Sequence, residues 1–172
     1  EAKKIEIFKD SAISVAHPAI APDGETLYFV SDSPDGLGGK DIWRAKYDKG
    51  NLVEKVYLNN VKEPYLNPNE GYAKYIAKYN ERGRLIELSF FDTEEKPCLN
   101  NKGYAKVSYG YDEWGNVTEI LFLGVDGKPC TDSSGVARCV MRYDERGNKI
   151  EEATFDPEGN PCLNAQGAAK MT

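Results

Sequence analysis

"GYAKVSYGYDEWGNVTEILFLGVDGKPCTDSS", residues 103–134, decides the fold. In its first half Ala105, Val107, Tyr109 and Tyr111 are apolar while Lys106, Ser108 and Gly110 between them are not, the period of a half-buried β-strand. "DEWG" follows, with Asp at the first turn position and Gly at the fourth, which favours a type I turn closed by a left-handed glycine. "NVTEILFL" is then a second strand returning from a hairpin. It ends in "VDGKP", where proline removes a ladder donor.

The same words recur at a fixed distance. Gly71, Gly103, Gly135 and Gly167 are each 32 residues apart, and Tyr79, Tyr111 and Tyr143 keep the same interval. Glu87, Glu119 and Glu151 coincide, as do the Pro-Cys pairs ending at Cys98, Cys130 and Cys162. The strand face of residue 103–111 returns as Ala73, Tyr75, Ala77, Tyr79 and as Ala137, Cys139, Met141, Tyr143. Repeats at such a period mean an array in which each unit buries its apolar face against the next. Upstream, "DIWRAKYDKGN" parallels "AKYIAKYNERGR" with one residue missing at the turn, and one extra residue precedes Gly71.

The expected fold is therefore all-β: an antiparallel meander of hairpin repeats with a divergent N-terminal cap. The cap covers 1–38. The repeats cover 39–172, as a degenerate copy (39–70), three full copies (71–102, 103–134, 135–166) and a partial one (167–172), continuous with the cap as one domain. A chain of 172 residues is enough for one core of ordinary size, burying roughly 70% of its unfolded surface.

With 22 Lys+Arg against 28 Asp+Glu, the net charge is −6, so the electrostatic footprint of a nucleic-acid or anionic-membrane binder is missing. No apolar run approaches a membrane span, and "EAKKIEIFKD" lacks the layout of a signal peptide. Neither nucleic acid nor membrane insertion is expected. An open sheet has edges, so edge-to-edge self-association is an expected hazard.

The N-terminal stretch "HPAIAPDGETLYFVSDSPDGLGGKDIWRAKYD", residues 17–48, resembles one blade of the TolB-like β-propeller family in its His-Pro, Pro-Asp-Gly turn, Leu-Tyr-Phe strand and Gly-Gly-x-Asp-Ile loop. That resemblance implies a blade-like sheet and the role of an envelope-associated scaffold or binding platform in bacteria. The copies with "YDEWGN" and "YDERGN" are similar to the tyrosine-aspartate repeats of RHS-type shell proteins and, more loosely, to MORN-type hairpin repeats. In one copy Tyr79-Asn80 replaces Tyr-Asp and Gly83-Arg84 replaces Gly-Asn. These similarities imply a hairpin array and add a third role, an accessory repeat of a toxin or immunity system.

Equivalent positions of successive copies lie two strand spacings apart, roughly 9.6 Å, whereas a disulfide needs α-carbons within about 7 Å. Cys98, Cys130 and Cys162 are thus not expected to bridge one another. The diverged copy has Tyr65 in that slot, so the position reads as a small buried hydrophobe beneath a loop. Cys139 stands where other copies have Tyr75 and Val107 on the apolar face, and its pairing with Cys130 or Cys162 stays open on spacing alone. Free thiols favour a reducing compartment, while the blade resemblance favours the bacterial envelope or secretion.

Signatures of catalysis are missing. His17 is the only histidine and is remote from every cysteine, and no Gly-x-Ser-x-Gly, His-Glu-x-x-His or phosphate-loop spacing occurs. The chain is not expected to be an enzyme, and neither cofactor nor metal is expected. The recurring glutamates read as a structural or solvated row. Asp32, Asp35 and Asp41 in "SDSPDGLGGKD" miss the spacing of a calcium loop, since Ser31 and Ser33 stand where acids are wanted.

One row points to recognition. The third residue of successive hairpin turns is Arg82, Trp114 and Arg146, placing an indole at a turn tip between two guanidinium groups. Trp and Arg are the residues enriched at interface hot spots. The functional expectation is a non-catalytic scaffold that binds a protein partner through this row. Carbohydrate binding is the alternative, with Trp43, Tyr111 or Trp114 stacking on sugar rings.

Overall fold

The computed structural model of the chain describes residues 15–32, 41–59, 61–163 and 170–171. Among these every regular element is a strand: β1 (Val15–Ile20), β2 (Thr26–Ser31), β3 (Asp41–Asp48), β4 (Asn51–Leu58), β5 (Lys74–Tyr79), β6 (Leu85–Phe91), β7 (Lys106–Tyr111), β8 (Val117–Leu123), β9 (Arg138–Tyr143), β10 (Lys149–Phe155) and β11 (Lys170–Met171). Strand order in the sheet is chain order, β1 to β11. The architecture is thus an all-β antiparallel meander of hairpins. Short turns after β1, β3, β5, β7 and β9 fix these strands to antiparallel neighbours, while the connections after β4, β6 and β8 run 14 or 15 residues.

Two compact units emerge, Glu1–Ala77 with Phe91–Lys96, and Lys78–Phe90 with Pro97–Thr172. Of the cap expected over 1–38, the described part contributes β1 and β2, while residues 1–14 and 33–38 lie outside the described residues, as does most of the partial copy at 167–172.

In the first unit Phe29, Trp43 and Tyr57 stand opposite one another across β2, β3 and β4. All three are buried. The Phe29 and Trp43 rings lie parallel at 6.3 Å, the Trp43 and Tyr57 rings meet at a 58° tilt at 4.8 Å, and Tyr65 and Tyr72 close on Tyr57 at 6.1 and 5.7 Å. Lys55 Nζ sits 4.1 Å from the Trp43 ring centre, a cation over an indole face. β1 stands first in the strand order and carries an irregularity between Ala16 and Ala19, where His17 has φ 54° and Pro18 offers no donor. Bulges and prolines of this kind blunt pairing along a strand.

The second unit shows what the Pro-Cys pairs do. After β8 the chain turns at Gly124–Lys128 and runs back beside β8 for two residues, Pro129 facing Leu123 and the Cys130 N–H donating to the Phe122 carbonyl at 3.1 Å. It then leaves the sheet, turns at Asp132–Val136 and re-enters at Ala137, whose carbonyl accepts the Phe122 N–H at 2.9 Å. Phe122 therefore bonds the chain both before and after the excursion. Phe90 does the same with Cys98 (3.1 Å) and Ala105 (2.9 Å), and in the first unit Tyr57 does so with Tyr65 (3.1 Å) and Ala73 (2.9 Å). The recurring Cys or Tyr is the last residue in register before the excursion.

The excursions form the second layer of the core. Tyr104, delivered by one of them, is buried between Phe90 (5.9 Å) and Phe122 (4.6 Å). Neighbouring excursions pack closely: a Cβ on Gly103, which has φ 95°, would lie 3.3 Å from the Thr131 carbonyl oxygen. Cys130 Sγ points at the Gly103 carbonyl (3.7 Å) and Cys162 Sγ at that of Gly135 (3.9 Å). None of the four cysteines is in a disulfide, and all are half-buried, so the slot of Cys98, Cys130 and Cys162 is less enclosed than the sequence suggests. Each excursion covers only one end of the sheet face. Val107 is buried, whereas Tyr109 and Tyr111, nearer the hairpin tip, are half-buried.

Each excursion is closed by an Asn or Asp whose side chain replaces a backbone partner. Asn100 Oδ1 accepts from the Lys102 and Tyr104 N–H groups at 3.0 and 3.3 Å, and Asp132 Oδ1 from Ser134 and Val136 at 2.9 and 3.1 Å. Asn100 is buried. Asn100→Ala strands two N–H groups under the loop and is expected to destabilise the second unit by about 1–3 kcal/mol, read as a lowered urea midpoint. Asn100→Asp, which keeps the acceptor and copies Asp132, is expected to recover most of the loss.

Candidate functional site: the hairpin tips

The three tips in the second unit are Asn80–Arg84, Asp112–Asn116 and Asp144–Asn148, each closed by a hydrogen bond from the first residue's N–H to the carbonyl of the fifth, at 2.9, 3.1 and 3.0 Å. The glycines take left-handed φ values, 73° at Gly83, 102° at Gly115 and 80° at Gly147, as the turn type requires. The first side chain supplies an acceptor: Asn80 Oδ1 to Arg82 and Arg84 N–H, Asp112 Oδ1 to Gly115 and Asn116 N–H, Asp144 Oδ1 to Arg146 and Asn148 N–H.

Trp114 stands at the second tip with 72% of its surface exposed. Its backbone is held from the first tip. Arg82 Nη1 donates to the Glu113 carbonyl at 2.7 Å and Arg84 Nη2 to the Trp114 carbonyl at 3.1 Å. The Arg84 guanidinium lies 5.8 Å from the Tyr111 ring centre, and the Tyr111 hydroxyl donates to the Leu85 carbonyl at 2.6 Å. A Cβ on Gly115 would fall 2.0 Å from Arg84 Nη2, so this glycine also leaves room for the crossing arginine. The tip is a fixed platform with an open indole.

The structure brings Arg82 and Trp114 together and places Tyr111 beneath them. Arg146 is exposed on the next tip, and its guanidinium makes no hydrogen bond or ion pair among the described residues. Trp43 is elsewhere, fully buried in the first unit, where its ring is already covered by Tyr57 and Lys55. Sequence reasoning missed Arg84. Its signal was present, since Gly83-Arg84 is the copy that breaks the Gly-Asn pattern.

The glutamate row is engaged in ion pairs across strands. Glu87 meets Lys78 (2.8 Å) and Lys106 (3.4 Å), Glu119 meets Arg138, and Glu151 meets Arg142 (3.6 Å). Burial pushes the Glu87 carboxyl up, but the hydrogen bond from Lys78 and the charge of Lys106 outweigh it and hold the group low. Burial, with Glu152 nearby, pushes the Cys139 thiol up to about 11, which keeps it protonated and unreactive at neutral pH. Among the described residues no group of three or more His, Cys, Asp and Glu gathers as a metal site, and Asp35 lies outside them. No helix among them is long and apolar enough to cross a membrane.

The turn carboxylates make stability depend on acid. Asp144 and Asp156 are held below the ordinary range chiefly by the side-chain amides of Asn148 and Asn160. In Asp112 desolvation pushes up, but Asn116 and the turn N–H groups win. Asp23 drops to about 2, mainly through the Thr26 hydroxyl. A carboxyl held lower in the folded state favours folding above its unfolded value, near 3.9 for Asp, and the benefit disappears as pH falls through the folded value. The urea midpoint is therefore expected to hold down to about pH 4 and to fall below it. Asp144→Asn, which keeps the Oδ1 acceptor as in Asn80, is expected to flatten that fall.

No family model matches the chain, and no curated protein matches it.

Proposed function

We propose that the protein is a non-catalytic repeat scaffold that binds a protein partner through its hairpin-tip row, centred on Trp114. The observation that carries this reading is an indole 72% exposed on a turn whose backbone is fixed by two guanidinium–carbonyl bonds. A large apolar side chain standing in water gains on contact, and the turn that carries it, already tied down, loses little conformational freedom, which is the profile of an interface anchor. The resemblance of residues 17–48 to a TolB-like blade, and of the tyrosine-aspartate copies to RHS-type repeats, supports placing such a scaffold in a bacterial envelope or secreted assembly.

The test is site-specific photo-crosslinking in native extract from position 114, with position 93 on an excursion-side turn as control. A partner captured only from 114 is then purified. Trp114→Ala is expected to weaken its binding about 30-fold, the loss of one hot-spot side chain, with the melting temperature unchanged. Equal affinity for both proteins overturns the reading. A glycan that shifts Trp114 fluorescence, with no protein captured, replaces it by carbohydrate binding.

A further inference from the structure

The first unit has a second face, and it carries a cavity of about 440 Å³ lined by Ala19, Tyr28, Ile42, Arg44, Leu58, Lys62 and Pro64. We propose that this cavity binds a small organic anion with an apolar body, a medium-chain or aryl carboxylate.

The fold builds the site from two cross-strand rows. Ala19, Tyr28 and Arg44 stand opposite one another across β1, β2 and β3. Ile42 faces Leu58 across β3 and β4, and Leu58 faces Pro64 at the start of the next excursion. These rows point away from the Phe29, Trp43 and Tyr57 core, because side chains alternate along a strand. Lys62 enters from the turn between Asn59 and Glu63, at φ 65°, where the Asn59 side chain accepts the Val61 and Glu63 N–H groups and the Lys62 N–H donates to the Asn59 carbonyl. Its position is set by a capped turn.

Size and lining suit a small molecule: sites of a few hundred Å³ are mostly apolar, with a few polar groups that orient the ligand. Both charged residues lining this cavity are cations. Arg44 Nη2 is spent on Glu54 at 3.0 Å, but the Arg44 side chain keeps 30% of its surface exposed, so the guanidinium has further N–H groups to offer at the cavity wall. Lys62 makes no ion pair among the described residues. A carboxylate can accept from the guanidinium and pair with the ammonium while its body lies on Ile42, Leu58 and Pro64. A cation is disfavoured by the Lys62 ammonium and finds no acceptor on Arg44, and a strongly hydrated inorganic anion is disfavoured by the apolar walls.

The test uses the full chain and 1-anilinonaphthalene-8-sulfonate, an anion with an apolar body, displaced by decanoate or by decanol. Saturable single-site binding is expected, with decanoate displacing the probe at about tenfold lower concentration than decanol, the worth of a charge-assisted hydrogen bond. Ala19→Trp, at an exposed strand position, is expected to fill the cavity and abolish the site. Lys62→Glu is expected to weaken decanoate about tenfold or more while leaving decanol unchanged. Both variants are first matched to the parent in urea midpoint. Equal displacement by decanol and decanoate, or undiminished probe binding by Ala19→Trp, overturns the proposal. Trp114→Ala leaves this site untouched, so its fate is separate from that of the tip row.

Discussion

Trp43→Ala is expected to destabilise the first unit by about 3–5 kcal/mol, the range for removing a large aromatic from a packed interior. Trp43 is 0% exposed and is the largest fully buried side chain of the described residues. Its ring touches the Phe29 and Tyr57 rings, so deletion opens a hole at the middle of the aromatic row rather than at its end. Lys55, whose ammonium rests on the indole, loses that partner as well. Trp43→Phe keeps an aromatic plane and is expected to lose less than half as much. Hydrogen exchange read by mass spectrometry localises the effect: peptides from 41–59 should exchange faster, with global stability followed in urea. A loss under about 1 kcal/mol would mean that the site collapses around the hole. The contrast with Trp114 is the point, since one tryptophan supports the fold and the other stands clear of it.

Tyr104→Ala is the corresponding lesion in the second unit, again expected to cost about 3 kcal/mol or more. Tyr104 is the contact between sheet and excursion layer, wedged between Phe90 and Phe122, and its own N–H is held by Asn100. Without the ring the excursion has little apolar surface with which to stay down. Tyr104→Phe is expected to behave nearly as the parent. Tyr109→Ala, on the same sheet but half-buried nearer the tip, is expected to cost clearly less, because its ring is less enclosed. Equal losses at 104 and 109 would show that the excursion layer contributes nothing to stability. Urea unfolding of the three variants decides between these outcomes.

Much of this architecture was legible in the sequence, for identifiable reasons. Alternation in "AKVSYGY" fixed a strand with Val107 inward, because side chains on a strand must alternate. "DEWG" announced a turn with Gly115 left-handed, because L-residues avoid that conformation. The glutamate row was readable only as structural or solvated, and its ion pairs to neighbouring strands are seen in the structure. The Pro-Cys excursion was harder. Its conformation depends on Phe90 and Phe122 bonding the chain twice, which is a property of register and not of the excursion's own residues. Asn100 and Asp132, its closing residues, look like ordinary loop composition until their acceptors are seen to be placed.

The candidate sites divide along the same line. Arg82 and Trp114 could be picked out because they share a turn position at the repeat interval. Their engagement through Arg84, and the separation of Arg146 from it, depend on how long side chains cross from one hairpin to the next. Nothing in the sequence separated buried Trp43 from open Trp114, since a strand position and a turn position tell only the local geometry. Nor could the cavity of the first unit be read, for its lining comes from separate strands and a turn.

By itself the sequence determined the strands, their hairpin turns and the repeat interval, because alternation, glycine conformation and recurrence are properties of the chain read locally. Tertiary structure decided which parts of each strand are enclosed, which tryptophan reaches water and where cations meet an apolar cavity. Those outcomes depend on residues distant in the chain being brought to one place, and local pattern carries no record of that distance.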